Sequence, residues 1–237
     1  MRAYHNDPEI KSKILTQLQA HYDADEIIKG TYWENGKGCA IGCTLHSSNH
    51  RDYEKLFGIP KQLAVLEEYI FERLPNDLAK KFPIEFISSI SIGADLSLVW
   101  PKLFLCLLND DDFGIRKYVD CDTIMDSLDR ITDLFSAYIQ DKRIDIDEWD
   151  SVRLCLYDRL QNNTDFLSTI TRLLYLSACP EQFKRIMPIC SITHSVFECH
   201  EFYCDEMRIL EGKLPFDPND FFIFLKDKLL KILKETT

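Results

Sequence analysis

Residues 30–75 read GTYWENGKGCAIGCTLHSSNHRDYEKLFGIPKQLAVLEEYIFERLP. They combine glycines, two cysteines four positions apart, two histidines and several aromatic residues, whereas the chain after them shows mainly amphipathic helical patterns. Gly38 predicts the start of a short helix that runs to Leu45, and Gly58 predicts the end of a second one. Pro60 begins a clearer helix that ends at Pro75. We expect this segment to build a polar cluster between helices.

The helix before this segment begins with a clear signal, Asn6-Asp7-Pro8. The pattern predicts that it runs to about Lys29, where Gly30 ends it. At about 100° per residue, His21 and Asp25 fall on the same stripe as the apolar side chains of this helix. Because a core-facing stripe does not tolerate unpaired ionisable groups, both residues should have partners.

The remainder of the chain predicts further helices and no alternating strand of useful length. A segment that begins at Asn76 is predicted to break at Pro83. Later helices are predicted at 122–140, 147–161, 164–178, 181–188, 191–211 and 218–235. In the helix at 191–211, Cys199 is expected in the core and His200 on the surface. The consistent fold class is all-α, an irregular multi-helix bundle of about nine or ten helices.

The composition of the 237 residues excludes several classes of protein. Hydrophobic residues at 46% and charged residues at 28% are typical of a globular protein. The formal net charge of −11 argues against a nucleic-acid or anionic-membrane partner, since both need clustered Lys and Arg. Nine scattered cysteines favour reduced thiols, and no apolar run approaches the ~18 residues of a membrane span. We therefore expect a cytoplasmic protein.

The first candidate site is Cys39, Cys43, His46 and His50, spaced C-x3-C-x2-H-x3-H. These residue types suit zinc. On a continuous helix, however, the four would form a stripe about 16 Å long, so only a chain break at 47–49 would let His50 fold back. The alternative is that the two cysteines pack a tight glycine-rich turn.

The second candidate site draws on three helices: His21 with Asp25, His50 with Glu54, and Glu67. Each pair is separated by four residues, so both members point the same way. Two imidazoles and three carboxylates suit a first shell for iron, manganese or zinc in a helical bundle. The same groups suit metal-free acid and base catalysis. A third interpretation is a structural network in which every polar group is hydrogen-bonded.

Aromatic residues beside these groups, Tyr32, Trp33 and Tyr53, are the candidates for contact with a bound cofactor. Glu68 and Glu72 are predicted to project away from the apolar stripe of their helix and to be solvated.

Three segments, YWENGKGCAIGCTLHSSNHRDYEKLFGIP, LAVLEEYIFERLP and IGADLSLVWPKLFLCLL, resemble a family of bacterial and phage- or plasmid-borne proteins of uncharacterised activity. That family carries YW-x-N-G-x-G-C-A-[VI]-G-C-T, then N-H or D-H, Y-E, G-I-P, L-E-x-x-I-F-E, L-P and G-A-D-L-S. The resemblance covers about residues 18–108 and implies no reaction. The positions that fall on the pattern include His21, Asp25, Tyr32, Trp33, Gly36, Gly38, Cys39, Gly42, Cys43, His50, Tyr53, Glu54, Gly58, Pro60, Glu67, Phe71, Glu72 and Asp95.

The resemblance divides the chain into a family-like region at 1–110 and a helical extension at 111–237 that packs on it. Two hypotheses for function follow. The first is a small helical enzyme or binding protein whose His and carboxylate pocket binds a divalent metal (Zn, Fe or Mn) or a polar small molecule, with Cys39 and Cys43 lining it or joining the ligands. The second is a protein-interaction module, such as a phage or mobile-element accessory protein, in which the polar cluster is structural. Neither specifies an oligomeric state.

Overall fold

The computed structural model of the chain describes residues 2–49, 52–162, 166–178, 192–201 and 217–237. Over these ranges its secondary structure is mainly helical, with one hairpin of two short strands, which confirms the all-α fold class. The helices are α1 (Pro8–Asp23), α2 (Ala40–Leu45), α3 (Asp52–Phe57), α4 (Lys61–Phe71), α5 (Asn76–Ser89), α6 (Val99–Asn109), α7 (Asp122–Ile139), α8 (Ile146–Asn162), α9 (Phe166–Ser177), α10 (192–201) and α11 (Pro218–Lys234). None of the described helices is long and apolar enough to cross a bilayer.

Helix α1 starts where the sequence predicts and ends earlier. The Asp7 side chain accepts a hydrogen bond from the backbone N–H of Glu9, and Pro8 occupies the first turn. The helix stops at Asp23, and Asp25 takes a left-handed backbone conformation with φ of 56°. The predicted continuation to Lys29 is wrong, because Asp tolerates left-handed φ better than most residues and can reverse the chain without glycine.

A hairpin follows α1, where a loop was predicted. Strand β1 (Trp33–Glu34) pairs antiparallel with β2 (Lys37–Gly38). The turn residues Asn35 and Gly36 both have positive φ, at 51° and 82°. This is the geometry of a two-residue type I′ turn, for which Asn-Gly is the preferred sequence.

The chain divides into two compact units, and each is described by itself. One comprises Met1–Val99 and Phe222–Thr237, and the other comprises Trp100–Phe221. In the first unit α1 packs against α2 and α5, and α4 packs against the same two helices. The boundary at residue 110 was predicted from the family resemblance, and the regions 1–110 and 111–237 stay predictions.

Helix α5 continues through Pro83, so the predicted break there is wrong. Proline removes one backbone hydrogen bond from a helix interior. Phe82, Pro83 and Phe86 are all buried in the first unit, and this apolar burial offsets the loss.

In the second unit, helices α7, α8 and α9 pack against one another. Its core contains an aromatic chain in which Phe135 meets Phe104 and Trp149 edge to face, at 5.0 and 5.1 Å between ring centroids. Such contacts add to the stabilisation from apolar burial.

His200 is buried in the second unit, and the expectation of a surface position is wrong. Its exposed fraction is 1%. Ile192, Val196 and His200 are four residues apart along α10 and are buried on one face. The Tyr118 hydroxyl donates to Nδ1 of His200, and Nε2 donates to the Phe113 carbonyl at 2.9 Å. Burial lowers the pKa of His200 to about 4, so the ring is neutral at pH 7.

Candidate functional site

Two histidines and a glutamate form a hydrogen-bonded chain in the first unit. His21 lies in the last turn of α1 and is 8% exposed. Its Nδ1 is 2.7 Å from Oε2 of Glu26, and its Nε2 is 2.6 Å from Nε2 of His46. The two imidazole rings are nearly perpendicular, at 82°. We call Glu26, His21 and His46 the histidine relay.

The partners of His21 determine where the protons of the relay lie. A carboxylate only accepts hydrogen bonds, so Nδ1 of His21 carries the proton that bonds Glu26. In neutral His21 the other nitrogen, Nε2, is then an acceptor. The bond between the rings therefore requires Nε2 of His46 to donate, which leaves Nδ1 of His46 as the basic nitrogen of the neutral relay.

The early end of α1 brings Glu26 to His21. After the reversal at Asp25, the backbone N–H of Glu26 donates to the carbonyl of His21 at 2.9 Å. The side chain of Glu26 thereby lies beside the imidazole instead of further along a helix. This local turn, and not the helical spacing of four residues, selects the carboxylate that orients His21.

His46 is positioned by the end of α2. It caps that helix in the left-handed conformation, with φ of 52°, and its N–H donates to the carbonyl of Gly42. Gln17 on α1 fastens the same helix end, since its Nε2 donates to the carbonyls of Cys43 and Thr44 at 2.7 and 2.9 Å. These bonds satisfy carbonyls that a helix end leaves unpaired, and they hold His46 opposite His21.

Trp33 covers one face of His46. The two rings are stacked, with 4.8 Å between centroids and 14° between planes. The hairpin that carries Trp33 approaches α2 closely, because a Cβ added at Gly42 would lie 1.6 Å from the carbonyl oxygen of Tyr32. A Cβ at Gly38 would lie 2.3 Å from the same oxygen. The two glycines therefore let the tryptophan reach the histidine.

The relay opens into a solvent-accessible groove of about 470 Å³, a volume in the range of small-molecule sites. Its other lining residues are Lys13, Thr16, Gln17 and Ala20 on α1. Partial burial lowers the pKa of His46, and nearby His21 and Lys13 lower it further, while Glu26 raises it. His46 is therefore mainly neutral at pH 7 and able to accept a proton.

Asp25 does not join this site, and its predicted inward direction is wrong. The side chain is exposed and forms an ion pair with Lys80. The hydrogen bond to Lys80 lowers the pKa of Asp25. The prediction was wrong because Asp25 lies beyond the end of α1, where helical periodicity no longer determines the direction of the side chain.

Glu67 is buried as predicted, but its partner is Tyr53. The Tyr53 hydroxyl donates to Oε2 of Glu67 at 3.0 Å, and both residues have an exposed fraction of 0%. Among the described residues, Oε1 of Glu67 has no hydrogen-bond partner. Burial raises the pKa of Glu67 well above its ordinary value, so the carboxyl is held in its neutral form. Glu54 is half-buried and accepts from the backbone N–H of Lys61 at 3.2 Å.

The five-residue pocket predicted from the sequence is therefore not assembled as proposed. His50 lies outside the described residues. Of the other four members, His21 belongs to the relay, Glu67 to the pair with Tyr53, Asp25 to a surface ion pair and Glu54 to a loop contact. Helical spacing predicts which residues share a face of one helix, but it does not predict how separate helices bring their side chains together.

Cys39 and Cys43 pack the glycine-rich turn, which was the alternative to a zinc site. Cys39 Sγ accepts from the N–H of Gly42 at 3.4 Å, and Cys43 Sγ donates to the carbonyl of Gly38 at 3.3 Å. Burial raises the pKa of Cys43 to about 12. Within the described ranges, no three His, Cys, Asp or Glu side chains are grouped to hold a metal ion. His46, the third predicted ligand, instead bonds His21.

Glu68 and Glu72 are not free in solvent, so that prediction is wrong. Burial raises the pKa of Glu68 to about 7, and its carboxyl is hydrogen-bonded to Cys39. The two carboxylate oxygens of Glu72 accept from the N–H of Gly30 at 3.1 and 3.2 Å. The packing of α2 and the hairpin region against this face of α4 was not visible in the periodicity of α4 alone.

The three aromatic candidates for ligand contact have different positions. Trp33 belongs to the site through its stacking on His46. Tyr32 is 63% exposed, and Tyr53 is in the core. Their predicted role in cofactor contact stays a prediction.

Glu26 and Lys13 are site residues that were not predicted from the sequence. The signal for Glu26 was the Asp-Ala-Asp sequence at 23–25, whose aspartates favour a chain reversal. Lys13 lies on α1 two turns before His21, so it follows the same helical spacing.

Comparisons of the chain with protein-family models, curated proteins and solved structures find no match. The family resemblance therefore stays a prediction, and the relay must be interpreted from its own geometry.

Proposed function

We propose that the histidine relay is an acid–base site for a small polar molecule that binds in the groove. The observation that carries this proposal is the unbroken chain of hydrogen bonds from Glu26 through His21 to His46. A carboxylate that orients one imidazole, which in turn accepts from a second imidazole at the groove, is an arrangement suited to proton transfer. The reaction would be one in which a bound substrate loses a proton to, or gains one from, His46.

Each member of the relay has a distinct task in this proposal. His46 exchanges the proton with the bound molecule, because it is the more exposed imidazole and its pKa is lowered below the ordinary value. His21 and Glu26 are positioning residues. They fix the tautomer of His46, and the negative charge of Glu26 stabilises the imidazolium that forms. Trp33 limits the rotation of the His46 ring by stacking on it.

Imidazole NMR tests this assignment. In ¹⁵N-labelled protein, the shifts of the ring nitrogens should show that neutral His21 carries its proton on Nδ1. Glu26→Gln should lower the pKa of His46, since the Glu26 charge raises it. Glu9→Gln is the matched control, because it makes the same change in the exposed first turn of α1, about 18 Å along the helix from His21. A His21 ring protonated on Nε2, or a His46 titration that is the same in Glu26→Gln as in wild type, would refute the relay.

A divalent metal ion of the zinc type is the second candidate ligand of His21 and His46. The observation in its favour is Glu26 on Nδ1 of His21, since metal-bound histidines commonly donate their other N–H to a carboxylate. Two imidazole ligands of a tetrahedral ion are about 3.3 Å apart, whereas these nitrogens are 2.6 Å apart. The rings would therefore have to separate. Zn²⁺, Fe²⁺ and Mn²⁺ titrations of chelator-treated protein, monitored on the same imidazole signals, decide between the ion and the shared proton.

A further inference from the structure

We infer that the molecule bound in this groove is a small oxyanion, with Lys13 as its permanent cation and His46 as a cation formed by protonation. This inference rests on the proposed function, because it names the class of ligand for the same site. The hydrogen bonds of the relay do not identify the ligand class, so the inference depends on the charged side chains that line the groove.

Lys13 supplies the constant positive charge. It lines the groove with His46, and its charge is one of the influences that lower the pKa of that histidine. The side chain is exposed, so its ammonium group is free to turn towards a bound ligand. Although the chain has a net charge of −11, the residues that line this groove include one lysine and one glutamate beside two histidines.

Protonation of the relay makes the net charge of the site positive. At high pH the charge of Lys13 is balanced by Glu26, whose carboxylate is already hydrogen-bonded to His21. When the two imidazoles take up one proton between them, the four groups together carry one net positive charge. A carboxylate, phosphate or sulfate placed between Lys13 and His46 would then receive charge-assisted hydrogen bonds from both. A divalent cation would instead meet the repulsion of Lys13.

The same groups make anion binding and proton uptake depend on each other. The influences on the His46 charge are burial, His21 and Lys13, which oppose it, and Glu26, which favours it. A bound oxyanion adds a second favourable charge, so it should raise the pKa of His46. By linkage, the anion should bind more tightly as the pH falls towards the pKa of His46, by up to about tenfold per pH unit.

The experiment uses sulfate and acetate as probes with the whole chain, because neither changes its charge between about pH 6 and about pH 8. Binding is followed by the His46 imidazole signals and by Trp33 fluorescence, which the stacked ring should report. Sulfate models a phosphoryl group and acetate models a carboxylate, so the two arms identify which oxyanion the groove prefers. Constant ionic strength is maintained with chloride.

Wild type should bind one or both probes more tightly at about pH 6 than at about pH 8, by up to about tenfold for each unit by which the bound probe raises the pKa of His46. Lys13→Gln should weaken binding, and His46→Gln should abolish its pH dependence. Lys55→Gln removes an equal charge from the exposed surface of α3 and should change neither. Binding that is equal at both pH values, or equal in Lys13→Gln and wild type, would overturn the inference. A relay that passes the Glu26→Gln test but binds neither probe would overturn only the choice of ligand.

Discussion

Replacing His200 with Gln tests the buried polar pair of the second unit. The histidine accepts from the Tyr118 hydroxyl and donates to the Phe113 carbonyl. A glutamine offers one acceptor and one donor, so it can keep both hydrogen bonds without a group that titrates. The variant should therefore remove the effect of proton uptake while retaining most of the packing.

The size of the effect follows from the pKa of His200, which burial lowers from 6.5 to about 4. As the pH falls below about 6.5, His200 becomes protonated in the unfolded chain but stays neutral in the folded protein. The free energy of unfolding therefore decreases. Each pH unit corresponds to about 1.36 kcal/mol. The loss due to this one group is about 2 kcal/mol at pH 5 and about 3 kcal/mol at pH 4. His200→Gln should not show this loss of unfolding free energy, because glutamine does not titrate.

Urea denaturation of wild type and His200→Gln between about pH 4 and about pH 7.5 measures this difference. Trp100 and Trp149 lie in the second unit, so a Trp33→Phe background makes tryptophan fluorescence specific for that unit. Subtracting the two proteins at each pH cancels the titration of every other group. The variant should gain about 3 kcal/mol relative to wild type on going from pH 7 to pH 4.

A difference between the two proteins that stays constant within about 0.5 kcal/mol over this range would refute the argument. It would mean that the folded protein protonates His200 as readily as the unfolded chain does. His200→Ala is the comparison variant. It should be less stable at every pH, because it leaves a cavity and removes a hydrogen-bond partner of the buried Tyr118 hydroxyl.

Two further predictions concern the first unit. Glu67→Gln should stabilise the protein increasingly as the pH rises above about 4.5, since the unfolded chain then ionises a carboxyl that burial keeps neutral in the fold, and Tyr53 keeps an acceptor. Unfolding free energies at about pH 5 and about pH 7.5 check it, and an equal effect at both would contradict it. Gly42→Ala should destabilise by about 3 kcal/mol and uncouple Trp33 from His46, because the new Cβ meets the Tyr32 carbonyl. Gly36→Ala, with open space around it and a positive φ, should cost only about 1 kcal/mol, and equal costs would show that the close approach is not needed.

The hairpin is a feature that local sequence signals could have predicted. Asn35-Gly36 is a strong signal for a two-residue turn, but the flanking strands are only two residues long and show no alternation. A search for strand periodicity therefore passes over them. Once the hairpin is recognised, the need for glycine at 38 and 42 follows from its approach to α2.

The histidine relay, in contrast, could not be predicted from local sequence signals. His21 and His46 were both candidates, but for different sites, because they are 25 residues apart and helical spacing says nothing about such distances. Their meeting depends on the contact of Gln17 with the end of α2 and on the left-handed cap at His46. Glu26 was missed because α1 was expected to continue past it.

The sequence by itself determined the all-α class, the start of α1, the short helix that Gly38 precedes, and the burial of His21 and Glu67. These features depend on neighbours within a few residues, which periodicity and capping rules describe. Only the tertiary structure decided which polar groups meet: Glu26 and His46 with His21, and Tyr53 with Glu67. The physical reason is that a side chain leaves its helix in a direction fixed by local geometry, while its partner is chosen by how separate helices and turns pack together.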